Sequence, residues 1–194
     1  MIRRMRVVAK SRFAANKRLE AKAHATMIGL QVANIYTIAI GILLIQFQGS
    51  LSIAPIAATL NYVSLIASVF VQIMALIENF KNYGSKAKDM HDCAMRVNDL
   101  HQNLELETQA DWRILRWYQQ QYHLAIKDYA VNHDQIDYEA ALLEHAAAKG
   151  PRHVEMADLW WWRVRYACNV YGLTALILVS PIAVGVVMLQ LGLN

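Results

Sequence analysis

Charge is what this chain most lacks. Asp, Glu, Lys and Arg make up 18% of its 194 residues, against about 25% in an average soluble domain. The shortage is also local. Between Lys22 and Glu78 lie 55 residues without a charge, and after Arg165 another 29, together more than two fifths of the chain. A soluble core helix keeps one wettable face, so a stretch of this length excludes an ordinary globular domain and predicts a membrane protein. Cysteine is almost as scarce. Cys93 and Cys168 stand alone, at no metal-ligand spacing, which excludes a disulfide framework and a zinc site. No alternating strand pattern and no Gly-rich phosphate loop occurs. The apolar stretches hold no carboxylate or cation, which weighs against an intramembrane enzyme.

What is present is helical. Ala25 to Phe47 and Pro55 to Ile77 are each long enough, at about 1.5 Å per residue, to cross an apolar layer of about 30 Å. The intervening 48–54 supply turn chemistry, and Pro55 suits the start of a helix, where no amide donor is needed. A tight transmembrane hairpin is expected. A third span is read from Tyr166 to Leu189, kinked at Ser180-Pro181, with a re-entrant or surface-lying helix as its alternative. Ahead of it Trp160, Trp161, Trp162, Arg163 and Arg165 read as interface anchors. Residues 1–22 carry eight basic residues and one acid, and 78–165 eleven basic and fourteen acidic. The positive-inside rule therefore puts the N-terminus and 78–159 in the cytoplasm and the C-terminus outside.

The fold class is thus an all-α integral membrane protein in four parts: a basic N-terminal helix (1–24), the transmembrane hairpin (25–77), a cytoplasmic helical or coiled-coil stalk (78–159), and a C-terminal hydrophobic helix (160–194). The apolar run after the basic helix is too long for a signal peptide. Phe13, Leu19 and several alanines among the cations suggest a surface-lying or docking helix, the alternative being a topology signal.

In the stalk, Phe80, Tyr83, Ala87, Met90, Ala94, Val97, His101 and Leu104 recur at spacings of three and four, the seam of a left-handed coiled coil. It serves oligomerisation, an intramolecular hairpin of 80–104 on 112–130, or both. Leu115, Tyr118, Tyr122, Ala125 and Tyr129 repeat the pattern, as do Ile136, Ala140, Leu143 and Ala147 up to Gly150-Pro151. The transmembrane helix is expected to run unbroken into this seam.

No catalytic residue, metal site or cofactor is assigned. Asp89, His91, Asp92 and Cys93 crowd together, but neighbours on a helix point about 100° apart and do not converge on one ion. His101 with Glu105 and His133 with Asp137 read as helix-supporting pairs four residues apart. Polar residues inside the spans are more informative, because each must find a partner or water. Asn61, Ser64, Ser68 and Gln72 share one face of the second span, and Gln31, Asn34, Thr37 and Gly41 lie on one side of the first, with Asn34 taken as the residue opposing. They either bond between helices, at about 0.6 kcal/mol per pair, or line a weakly selective pore or its gate. A pore needs several copies, so a homo-oligomer is expected.

The basic Ala-rich leading helix, the tight hairpin, and the run from Phe80-Lys81-Asn82-Tyr83 through His91 to Ala94 and Leu100 resemble the SLATT family, small two-transmembrane effectors of bacterial conflict systems, over about residues 5–145. The resemblance implies an anti-phage effector of the bacterial inner membrane that permeabilises the lipid bilayer when a sensor triggers it, causing growth arrest or death (abortive infection). Implied partners are a reverse transcriptase of retron type or a nucleotide second-messenger system, with no direct nucleic-acid binding. The alternative is a non-conducting membrane anchor that recruits a soluble partner through its cytoplasmic helices.

Overall fold

A computed structural model describes residues 1–46, 54–107, 111–129, 132–147 and 156–192, except the side chains of 44, 54–60, 145, 147 and 180–192. Among the described residues there are six α-helices and no strand: α1 (Ile2–Gln46), α2 (Ala54–Lys81), α3 (Tyr83–Leu106), α4 (Trp112–Lys127), α5 (Gln135–Ala147) and α6 (Met156–Gly192). Of the turn expected at 48–54, residues 48–53 lie outside the described residues and Ala54 already opens α2; the Gly150-Pro151 stop also lies outside them. Pro55 falls in the first turn of α2, and α6 continues through Ser180 and Pro181 without ending.

The chain forms two compact units. One holds 1–22 and 83–170, the other 23–82 and 171–194. The four parts read from the sequence are therefore recombined: the leading helix belongs with α3, α4 and α5, and the last hydrophobic segment with the hairpin. We call them the polar and the apolar unit.

The core of the polar unit gathers Met5 and Ala9 of α1, Cys93, Val97 and Leu104 of α3, and Tyr118, Tyr122 and Ala125 of α4. A second cluster joins Ala15 and Leu19 to Ala87 and Met90, with Tyr83 against it. The seam of α3 is thus filled within one chain from Ala87 to Leu104, by α1 as well as α4. Of the two forms expected for this helix, surface-lying or docking, α1 takes the docked one over residues 1–22. Met5, Ala9, Arg12, Asn16 and Leu19 are all buried and recur at spacings of four and three, a seam of their own.

Two further expectations change. The helix does not run unbroken from span to seam: Asn82 adopts φ 47°, a left-handed turn that Asn tolerates better than most residues, and its amide bonds Asn79 O at 3.1 Å. The break resets the helical phase. Phe80, the first residue assigned to the seam, consequently belongs to α2 and is 87% exposed. Leu115 likewise faces out, while Tyr118, Tyr122 and Ala125 face in.

In the apolar unit Ala33 of α1, Val71 of α2 and Ile177 of α6 form the packed centre, with Leu30 and Leu173 beside them. Small residues permit this approach. A Cβ added to Gly29 would lie 3.1 Å from Thr174 Cγ2 and 3.3 Å from Thr174 Cα, so α1 and α6 meet at a point that only glycine leaves open. Two stretches, Ile2–Leu43 and Asn61–Leu106, each contain a window long and apolar enough to cross a membrane, and only 17% and 11% of those windows is buried. A soluble core helix would be mostly buried. Leu43, Ile45, Leu65, Ile66 and Phe70 are instead exposed, as lipid-facing residues must be.

Candidate functional site

The hairpin brings part of its polar residues together. Thr37 and Ile38 of α1 with Asn61, Ser64, Leu65 and Ser68 of α2 line a shallow groove of about 380 Å³. Asn61, Ser64 and Ser68 of the predicted lining are in it. Asn34 and Gln72 are not. Thr37 stands in Asn34's place, while the Asn34 backbone carbonyl accepts from Thr37 Oγ1 at 2.8 Å. Ser68 Oγ donates to Leu65 O at 2.8 Å. These two hydroxyls close onto their own helices, so neither serves as a bond between helices. Such bonding leaves the oxygen lone pairs still able to accept from water.

The polar unit contains the best-built polar cluster. Arg18 of α1 is 4% exposed. Its Nε donates to Asp137 Oδ1 at 2.8 Å and its Nη2 to Asp137 Oδ2 at 2.9 Å, a fork-on-fork pair. Nη2 also meets Asp134 Oδ2 at 2.6 Å, and Nη1 donates to Asn169 Oδ1 of α6 at 2.9 Å. The Asp134 amide bonds Asp137 Oδ2 at 3.0 Å, closing the turn that starts α5. Burial favours the neutral form of Arg18, yet Asp137 and Asp134 outweigh it and hold the guanidinium charge more firmly than usual. Asp137 is 2% exposed, so each charge is tolerable only because of the other.

Other titratable groups of the polar unit are shifted or paired as well. Burial, helped by the nearby Arg12 charge, lowers the proton affinity of His133, although Asp137 and Asp134 oppose the shift. Burial also raises the Cys93 thiol, whose Sγ donates to Ala125 O at 3.4 Å, and the Tyr122 phenol. A reactive thiolate is thereby disfavoured. Of the two pairs expected on helix faces, His101 and Glu105 stand 3.5 Å apart and share Arg6, whose Nε donates to His101 Nε2 at 3.2 Å and Nη2 to Glu105 at 2.6 Å. Asp137 is taken by Arg18 instead of His133. Among the described residues no group of three His, Cys, Asp or Glu stands close enough to hold a metal ion.

The residues read as interface anchors divide. Trp162 Nε1 donates to Ile136 O at 3.1 Å and Arg165 pairs with Glu139 at 2.9 Å, binding α6 to α5, while Trp160 and Trp161 stay exposed. Two features escaped the sequence reading. The Arg18 network has no signature, since its members lie up to 151 positions apart. Glu78, the first charge after the long apolar stretch, is buried and paired with Lys81, a pair three residues apart that spacing does signal.

Residues 1–187 match the family described as SMODS and SLOG-associating 2TM effector domain family 5. The chain belongs to this family. Its description names two transmembrane helices, in keeping with the two membrane-length stretches here, and an effector role; SLATT domains of this kind occur in conflict and anti-phage systems. This is a membrane protein of two-transmembrane effector type. The third hydrophobic segment is helical and packs on the hairpin through Leu173 and Ile177, while its side chains from 180 onward lie outside the described residues. No curated protein and no solved structure matches the chain.

Proposed function

We propose that this chain is an anti-phage effector that assembles into an oligomer in the bacterial inner membrane and opens a weakly selective pore when a sensor partner triggers it, arresting or killing the cell. It acts as a switch and not as an enzyme. The observation that carries this reading is the groove of Thr37, Asn61, Ser64 and Ser68 set into helices whose other faces are apolar and exposed. Copies arranged with these grooves inward present uncharged hydroxyls and amides to a central path, which water can enter. No ring of like charge is available, so discrimination among ions is weak.

Gating follows from the continuity of α1, which carries Arg18 in the polar unit and Thr37 in the apolar one. A trigger that rearranges the polar unit acts on the helix whose continuation bears the groove, and shifts a pre-existing equilibrium between closed and open forms. The trigger arrives from the cytoplasm, through a reverse-transcriptase complex of retron type or a nucleotide-signalling partner.

The test is Asn61→Leu combined with Ser68→Leu. Growth arrest on expression with the trigger is expected to disappear while membrane insertion and assembly persist. Arrest that survives the double change would sink the lining assignment and favour a scaffold that conducts nothing.

A further inference from the structure

The outward faces of α3 and α4 carry opposite patterns. On α4, Arg113, Trp117, Gln120, Leu124 and Lys127 recur at spacings of four and three and are all exposed, on the side away from the buried Tyr118, Tyr122 and Ala125. Sixteen residues of α4 contain no acid. The acids at its ends are engaged: Asp111 caps the helix by accepting from the Trp112 amide, and Asp128 pairs with Arg96 at 2.6 Å. On α3 the outward face reads Asp92, Met95, Asp99, Gln102 and Leu106, with Met95 44% and Leu106 79% exposed. Among the described residues none of Asp92, Asp99 and Lys127 has an ion pair within the chain.

The two stripes also match in level. The Cys93–Ala125 hydrogen bond fixes the antiparallel register of α3 against α4. Counting outward from it, Lys127 stands within about one residue of the level of Asp92, Leu124 of Met95, and Gln120 of Asp99 (1.5 Å of rise each). A rotation about an axis running along these helices preserves level, so a second copy would meet cation with carboxylate, Leu with Met, and amide with carboxylate. The neighbouring Arg96 does not oppose Lys127, because Asp128 holds it.

We propose that the α4 stripe of one copy docks on the α3 stripe of the next, a heterologous contact that repeats around a closed ring. This proposal rests on the oligomeric reading above and gives it a specific seam. Membrane insertion favours such a contact, since all copies share one orientation and rotation about one axis is the only relation left to them. The α3 seam itself cannot serve, because α1 and α4 of the same chain already fill it.

The experiment uses the full chain in membranes, in a Cys168→Ser background, because Cys168 is exposed and Cys93 buried. Chains carrying Met95→Cys and chains carrying Leu124→Cys are co-expressed and oxidised. A disulfide-linked dimer is expected from the mixture and not from either variant alone. Lys127→Glu should reduce the multimer captured by an amine cross-linker by about fivefold, as an ion pair near the top of the exposed range allows, and Asp92→Lys in the same chain should restore it. A dimer from Leu124→Cys alone would overturn the proposal in favour of an α4-to-α4 contact. Multimers that ignore Lys127→Glu and give no mixed disulfide would overturn it while leaving the pore reading intact, and would reassign the basic stripe to a soluble acidic partner. A chain that stays monomeric would overturn both.

Discussion

In the polar unit cations end on the carboxylates of other helices, whereas in the apolar unit the hydroxyls of Thr37 and Ser68 end on carbonyls of their own helix. The first arrangement ties helices to one another. The second does not, and among the described residues the apolar helices meet through packing at Ala33, Val71 and Ile177 and at Gly29 against Thr174. Lys10 with Glu144, Arg165 with Glu139 and the Arg18 network each connect one helix to another, the first and last across more than 110 positions. The contrast suits a device whose rigid part receives a signal and whose loosely joined part changes state.

Breaking the polar unit should have the largest effect. Arg18→Ala leaves Asp137 buried without its partner and is expected to cost about 3–5 kcal/mol, read as a lowered unfolding midpoint of the detergent-solubilised chain. A change comparable to that of an exposed pair would mean that the network is not a tie. Next comes the tight crossing at Gly29 in the apolar unit. Gly29→Leu forces a side chain against the Thr174 backbone and is expected to cost about 1–3 kcal/mol as overpacking, seen as easier proteolysis within the membrane-extracted chain.

A smaller effect concerns protons. Because the folded state lowers the proton affinity of His133 from its ordinary value of 6.5, the unfolded state takes up its proton first as pH falls. Stability is therefore full above about 6.5 and declines as pH drops from there toward the folded-state value. His133→Gln is expected to flatten that slope in melting curves between pH 7 and 5, and an unchanged slope would assign it to other groups. The smallest effect sharpens the contrast: Ser68→Ala removes only a hydroxyl bonded to its own helix, so stability should stay within about 0.5 kcal/mol of the parent. A larger loss would reveal a tie between helices at that position.

Periodicity and charge made much of this fold legible. The hairpin follows from the missing charges, and the buried face from Ala87 to Leu104 follows from spacings of three and four. The same rule applied to Met5, Ala9, Arg12, Asn16 and Leu19 would have found the inward face of α1, but Arg12 and Asn16 sit where apolar residues are sought. That is why spacing leaves a docking helix and a surface-lying one both open for this stretch. Phe80 was misassigned because a heptad pattern does not register a single left-handed residue, and Asn82 lies between it and the rest. In the candidate site, Asn61, Ser64 and Ser68 were readable because one helix carries all three. Spacing puts Thr37 on the same side of α1 as Asn34, but which of the two faces the groove depends on the register between helices, and that is set by packing. The Arg18 cluster joins three helices far apart in sequence, so no local pattern announces it.

The central claim is that the groove residues line a water-filled path. The most direct measurement is fluorophore release from sealed vesicles reconstituted with the purified chain, comparing the parent with the Asn61→Leu, Ser68→Leu variant at equal incorporation. Release by the parent and sealed vesicles with the variant are predicted. Equal release by both, or sealed vesicles around a correctly assembled parent that its trigger also fails to open, would contradict the account.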